Sequence, residues 1–355
     1  MRRLFAIAVL IIGGLIASVQ GANAQSALLN LPRDSQRAMV MQRIGITDIT
    51  INYHRPQVKG RKIFGGLQPY GDVWRAGANE NTTIQFTDDV MIDGRPLTKG
   101  IYGLHMIPTE GDWTVIFSRN ATSWGSFTYD QSEDALRVVV KPRPAELQEA
   151  LVYNIDDVTG TSATITMRWE KVAIPLHVTV DTPAIVAASL RNQLRSRVKY
   201  EWAAWSEAAN YLMDNKLSTE EALKDADESI QTEDHFENEM TKARALGMLG
   251  KKDEAIATRD KALAMGTQQQ VHTYGRLLQQ QKKYDEALEV FRTNIKKDPN
   301  SWVAHNELAR LAVAKGDYGT AVKEMKTAVS VAPEAIKSQL NDIEKRLENK
   351  VDINK

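Results

Sequence analysis

The chain has 355 residues, 25% of them charged and 43% hydrophobic, and its 45 basic residues balance its 45 acidic ones. This composition excludes a disordered, collagenous or mainly membrane-embedded chain, and the length calls for two or three domains. A zero charge balance argues against bulk nucleic-acid binding, and the absence of cysteine excludes disulfides, Cys-ligated zinc and a thiol nucleophile.

The N-terminus opens Met1-Arg2-Arg3 and runs apolar for 14 residues from Leu4 to Ala17, followed by the small-residue stretch Ala22-Asn23-Ala24. A positive end, a short apolar core and an A-x-A site are the three parts of a secretory signal peptide. The run is short against the roughly 20 residues that span a bilayer. Residues 1–24 are therefore predicted to be a cleaved export signal, with the mature chain starting near Gln25 and residing in the periplasm or outside the cell. Cleavage removes two Arg and no acid, leaving a net charge of −2. No stable membrane insertion is expected afterwards.

From about Met39 to Val180 the pattern alternates with period two, as in Thr50-Ile51-Asn52-Tyr53, Trp113-Thr114-Val115-Ile116-Phe117 and Ala163-Thr164-Ile165-Thr166-Met167. Alternation places one set of side chains in a core and the other in water. Turn signals such as Asp93-Gly94-Arg95-Pro96 and Glu110-Gly111-Asp112 divide about ten strands, which predicts an antiparallel β-sandwich or jelly roll over residues 25–182.

After Asp181-Thr182-Pro183 the spacing turns helical. Residues 183–199 read as a linking helix. Ala222, Ala255, Ala287 and Ala321 then recur at intervals of 33, 32 and 34 residues within one repeated motif, and twelve residues before them stand Asn210, Ala243, Gly275 and Ala309. Small residues let the two helices of a hairpin approach closely, while Phe291 and Met325, one turn on, fill the remaining gap. Pro299 and Pro333 sit where a second helix must stop. The period and these positions resemble the tetratricopeptide repeat over residues 200–335, an α-helical solenoid. Residues 336–355 read as a capping helix and a frayed tail. Such arrays bind extended peptides or partner helices in a concave groove, which implies a protein or peptide partner. The groove candidates are His272, Arg276, His305, Asn306 and Arg310.

The most informative stretch runs from Tyr53 to Thr83. It is rich in Gly and Pro, carries Arg55, Lys59, Arg61, Lys62 and Arg75 against Asp72 and Glu80, and is long for a loop without secondary structure of its own. It reads Tyr53, Arg55-Pro56, Lys59-Gly60-Arg61, Ile63-Phe64-Gly65, Leu67, Pro69-Tyr70-Gly71, Trp74-Arg75, Gly77-Ala78-Asn79-Glu80 and Thr82. Through these residues the chain, over about residues 30–180, resembles an exported bacterial family called domain of unknown function 2911. The resemblance implies no activity, because the family has none to carry over.

From the residues themselves, Arg55, Arg61 and Arg75 could hold a carboxylate or phosphate bidentately, Tyr70 and Trp74 could stack on a sugar, and Asn79 with Glu80 could bond hydroxyls. The opposing reading makes the same groups internal ion pairs and a satellite core. The six histidines show no metal-ligand spacing and no nucleotide or nucleophile motif is present, so no metal and no cofactor is expected. The leading expectation is an exported, non-enzymatic binding and scaffolding protein. It would take a small anionic or sugar-like ligand on the strand domain and a protein partner on the repeats. One alternative is an envelope glycan or peptide hydrolase using Glu80 as general acid or base, with His105 as a second candidate. The other is a purely structural module.

Overall fold

Period-two alternation gives β2 (Thr47–Arg55) two faces: Ile49, Ile51 and Tyr53 are buried, while Thr50, Asn52 and His54 point outward, half-buried. The computed structural model of the chain describes residues 32–355, so the predicted signal segment and cleavage site lie outside them. The described residues fall into two compact units, one holding the residues up to Arg43 and Asp48–Thr179, the other Ile44–Thr47 and Val180–Lys355.

The first unit carries the strands. With β1 (Gln36–Ile44), β3 (Thr83–Phe86), β6 (Gly100–Ile107), β7 (Trp113–Ser118) and β8 (Asp134–Val140), β2 forms a six-stranded sheet in the order β1-β2-β3-β6-β7-β8. A second sheet has the order β5-β4-β10-β9, from β4 (Val90–Ile92), β5 (Arg95–Leu97), β9 (Arg143–Asp156) and β10 (Ser162–Thr179). From β2 to β8 the pairing is antiparallel, and its register aligns Asn52, Thr83, Gly103 and Ser118 in one row on the face opposite the core. On the inner side Tyr53 meets Tyr153 edge-on at 4.8 Å. Phe64 stands edge-on to Trp113 at 4.6 Å and to Trp169 at 5.9 Å, so aromatic rings from both sheets share one core.

Residues 56–82 form no helix and no named strand, as the sequence predicts. The segment is nevertheless tied down along its length. Val58 N–H donates to Glu149 O, Leu151 N–H to Pro56 O, and Trp74 and Met106 exchange both backbone bonds. Ile63, Phe64, Trp74 and Ala76 are buried beneath it.

The second unit is helical. After α1 (Thr182–Gln193) and a 3-10 turn at Arg197–Tyr200, so that the predicted linking helix is two pieces, come α2 (Trp202–Asp214) and α3 (Thr219–Thr232), α4 (Phe236–Met248) and α5 (Lys252–Met265), α6 (Gln268–Gln280) and α7 (Tyr284–Asn294), and α8 (Trp302–Ala314) and α9 (Tyr318–Val331). The last helix is α10 (Glu334–Glu348). Starts follow capping chemistry: Ser218, Thr267, Ser301 and Asp317 each accept a backbone N–H of the first turn. Ala222, Ala287 and Ala321 are fully buried, and a Cβ on Gly275 would collide with the Phe291 ring, so the small residue is what lets α6 and α7 close. Ser229, where the repeat pattern favours alanine, is buried by donating to Trp202 O at 2.7 Å and accepting from Asn238. The predicted fraying at the end of the chain does not occur: Ile353 is 2% exposed and joins the apolar cluster of Val313, Met325 and Leu347. Among the described residues no helix is long and apolar enough to cross a membrane.

Candidate functional site

The loop residues singled out by their chemistry do not converge on one opening. Arg55 Nε donates to Leu151 O at 2.8 Å, and Arg61 Nε donates to Val58 O at 3.0 Å and its Nη2 to Gln57 O. Both guanidinium groups bond carbonyls that fix the loop. Trp74 is 4% exposed, donates from Nε1 to Gly77 O at 3.0 Å and stacks on Trp169 at 5.6 Å. It is core, and the expected exposed stacking platform is not formed by it. Asn79 takes a left-handed conformation, φ 58°, and donates to Ser35 O at 3.2 Å. Tyr70 is exposed and lies against Gly65, where a Cβ would strike its ring. Ala76, also left-handed at φ 50°, offers its carbonyl to Thr82 Oγ1 at 3.3 Å and Tyr153 Oη at 2.8 Å. Conformations of this kind persist only where surrounding contacts over-determine them.

Of the loop candidates, Glu80 is one that lines an open cleft. An open cleft of about 720 Å³ lies on the outer side of β1–β3 and is lined by Arg33, Gln36, Arg37, Asn52, His54, Glu80 and Asn81, among others. Glu80 accepts from Arg33 Nη1 at 2.6 Å and lies 3.3 Å from His54 Nε2. Burial pushes its carboxyl up, but its own backbone N–H, Arg33 and His54 outweigh that and hold it below the usual carboxylate range. His54 is pushed below the usual histidine range by burial, and the charges of Arg33, Arg37 and Arg75 add to this against Glu80. The cleft lining thus sets one carboxylate, Glu80, beside two guanidinium groups, Arg33 and Arg37, and one imidazole, His54. Arg37 reaches only Asn52 Oδ1, at 3.4 Å, and has no carboxylate partner among the described residues. Asn81 donates to Asn120 O at 3.2 Å, while its Oδ1 is buried without a partner among the described residues.

Arg75 is not part of that lining and lies against two exposed rings. Its guanidinium carbon lies 5.7 Å from the Trp124 centroid and 5.9 Å from that of Phe127, which is 86% exposed. Its Nε is buried with no acceptor among the described residues. Gly125 is left-handed at φ 74°, and a Cβ there would strike Arg75, so glycine is required at that position. Burial lowers the Arg75 pKa against the pull of Glu80.

His105 alternates with Leu104 and Met106 as its strand position predicts, yet it is 2% exposed. Nδ1 lies 2.8 Å from Ser126 Oγ and the ring tilts on Tyr129 at 5.4 Å. Burial pushes its pKa down to about 4 against the charge of Asp134. The histidine brought to Glu80 is His54.

Residues 35–178 match a family model described as a protein of unknown function (DUF2911), and residues 278–340 match a tetratricopeptide repeat model. The chain carries a DUF2911 domain followed by tetratricopeptide-type repeats. No curated protein matches it. Solved structures that resemble it include Cut9-Hcn1 of the APC/C, at 19% identity over 46% of this chain and 33% of that chain, TM-score 0.30. YrrB, a TPR protein with an unusual peptide-binding site, matches at 15% identity over 45% of this chain and 84% of its own, TM-score 0.27. A tetratricopeptide repeat protein from Parabacteroides merdae ATCC 43184 matches at 16% identity over 48% and 68%, TM-score 0.30. The chain thus spans only a third of the length of the first of these.

In the repeats, two of the five groove candidates meet. Arg276 Nη1 on α6 and Arg310 Nη1 on α8 both donate to Gln279 Oε1, and both reach Ile353 O, Arg310 at 2.6 Å and Arg276 at 3.4 Å. Burial pushes Arg310 down to about 9. The other three face elsewhere. His305 Nδ1 pairs with Glu324 on α9 at 2.7 Å, turned to its hairpin partner. His272 lies under the surface, stacked on Phe291 at 5.5 Å with Nδ1 3.0 Å from Glu307 Oε1. Asn306 is buried with its Oδ1 unpartnered among the described residues. Burial holds His272 neutral, down to about 3, and Glu307 protonated, up to about 8. Neither belongs to an open groove.

Sequence reasoning missed Arg33, Arg37 and Asn52, because they lie outside the glycine-rich stretch. It passed over His54 inside that stretch. The available signal was β2's alternation, which puts Asn52 and His54 on the outward face.

Proposed function

We propose that the chain is an exported scaffolding protein whose repeats dock a protein partner and whose DUF2911 domain holds a small anion, a carboxylate or a phosphate, in the cleft beside Glu80. Tetratricopeptide-type repeats suggest protein–protein interaction, and the coarse scaffolding role follows from them. The anion reading rests on one observation: Arg33 and Arg37 line the cleft with His54 and a single carboxylate, Glu80, and Arg37 is left without an ion-pair partner among the described residues. Guanidinium groups recognise planar oxyanions by paired hydrogen bonds. The cleft is open, so affinity is modest and falls with salt.

Glu80 fits the hydrolase alternative poorly. A general acid near neutral pH needs a raised pKa, and this carboxyl is held ionised and paired. Calorimetric titration with inorganic phosphate and with citrate tests the anion reading. Binding should weaken about tenfold or more in Arg37→Ala, the loss of one charge-assisted bidentate contact. It should tighten only at a pH below the usual histidine range, where the depressed His54 gains a proton. Binding that ignores both changes removes the proposal.

A further inference from the structure

The segment after α10 is placed by a helix stop and then held by the groove. Val351 N–H donates to Arg346 O and Lys350 N–H to Leu347 O, with Lys350 left-handed at φ 55°. This Schellman-type reversal folds residues 351–355 back onto the first helices of the repeats. Ile353 buries its side chain in the apolar cluster that includes Val313 and Leu347. Its carbonyl takes the Arg276 and Arg310 guanidinium groups. Asn354 Nδ2 donates to Arg310 O at 2.9 Å and its Oδ1 accepts from Gln279 Nε2 at 2.7 Å.

Arg276 and Arg310 are 34 residues apart, one repeat period, so they are equivalent positions on successive first helices. The same position one repeat earlier, next after Ala243, is Arg244, which is bonded to Asp214 and Asn210. Successive repeats thus present one guanidinium each along a common line, and a backbone carbonyl is what two of them hold. A backbone carbonyl, an apolar socket and a doubly bonded amide are the contacts by which a groove grips an extended chain.

We propose that residues 351–355 are an internal occupant of the repeat groove, and that the groove's partner is an extended protein segment presenting an apolar residue followed by asparagine, which must displace them to dock. The proposal rests on the reading that the repeats dock a protein. It adds where docking happens, what the partner segment looks like and why the free chain is held closed. The tethered segment competes at a local concentration on the order of millimolar, which a partner in solution must overcome.

The test uses a peptide of sequence Val-Asp-Ile-Asn-Lys, blocked at both ends and fluorescently labelled, against the full chain, a chain ending at Lys350, and an Ile353→Ala/Asn354→Ala double variant. Peptide affinity should rise at least about tenfold in either altered chain, because the competent fraction rises. Adding Arg310→Ala should abolish it. A chain ending at Lys350 that loses its fold is covered by the double variant, and by hydrogen exchange on the unaltered protein. There the amides of residues 351–355 should open well before those of α8. A folded altered chain that ignores the peptide overturns the inference, and so do 351–355 amides that exchange only on global unfolding. In either case the docking reading stands, because it does not require this groove.

Discussion

The two units both use arginine against carbonyl oxygen, with opposite consequences. In the DUF2911 domain, Arg55 donates to Leu151 O within β9, and Arg61 donates to Val58 and Gln57, carbonyls of a loop anchored at both ends in strands. In the repeats, Arg276 and Arg310 donate to Ile353, a carbonyl five residues beyond the last helix and anchored through α10 alone. The first arrangement is structural, because its acceptors are held in a strand or in a loop tied to strands at both ends. The second can be released locally. An arginine-rich motif therefore says little until the tether of its acceptor is known. The open charge of the DUF2911 domain sits on Arg37 of β1, outside the motif.

Several changes would sharpen or break this contrast. The largest effect is expected for Trp74→Ala, which removes a ring packed on Trp169 and Phe64 and should cost roughly 3–5 kcal/mol in denaturant unfolding of the strand unit. A loss under about 1 kcal/mol would mean the ring is not core.

Next come opposed pH responses. His105 has its pKa lowered to about 4, so its contribution is complete above the unfolded value near 6.5 and is lost as pH falls toward 4, worth about 3 kcal/mol. His105→Gln should flatten that acid limb. Glu307, raised to about 8, does the reverse: its contribution is complete below about 4.5 and is lost as pH rises toward 8. Stability measured in Glu307→Gln should lose that alkaline decline. Identical pH profiles for the two variants and the parent would show that neither group is held neutral by burial.

A smaller effect separates the arginines. Arg55→Ala should cost about 1.5–3 kcal/mol, the loss of a charged hydrogen bond to a part-buried carbonyl. Exposed Arg37→Ala should stay within about 0.5 kcal/mol of the parent.

Much of this architecture was legible from periodicity. Alternation marked the strands, and the recurrence of Ala222, Ala255, Ala287 and Ala321 marked the helical hairpins, because both signals are local and repeated. The site was less legible. Nothing in residues 53–83 distinguishes a guanidinium facing solvent from one facing a carbonyl, since that depends on which strand lies beneath. Arg61 and Arg37 have the same chemistry and are both exposed, yet Arg61 bonds two carbonyls of its own loop while Arg37 reaches a single side-chain amide. The tail misled for a related reason. Val351–Lys355 is short and polar in sequence, and contacts distant along the chain hold it: the apolar cluster that includes Val313 and Leu347, the two arginines, and Gln279.

The most direct measurement of the central contrast is phosphate titration of Arg37→Ala beside Arg61→Ala under identical conditions. If the cleft is the anion site, Arg37→Ala weakens binding about tenfold or more while Arg61→Ala binds as the parent does. Loss of binding in Arg61→Ala, with Arg37→Ala unaffected, would return recognition to the glycine-rich loop and contradict that assignment.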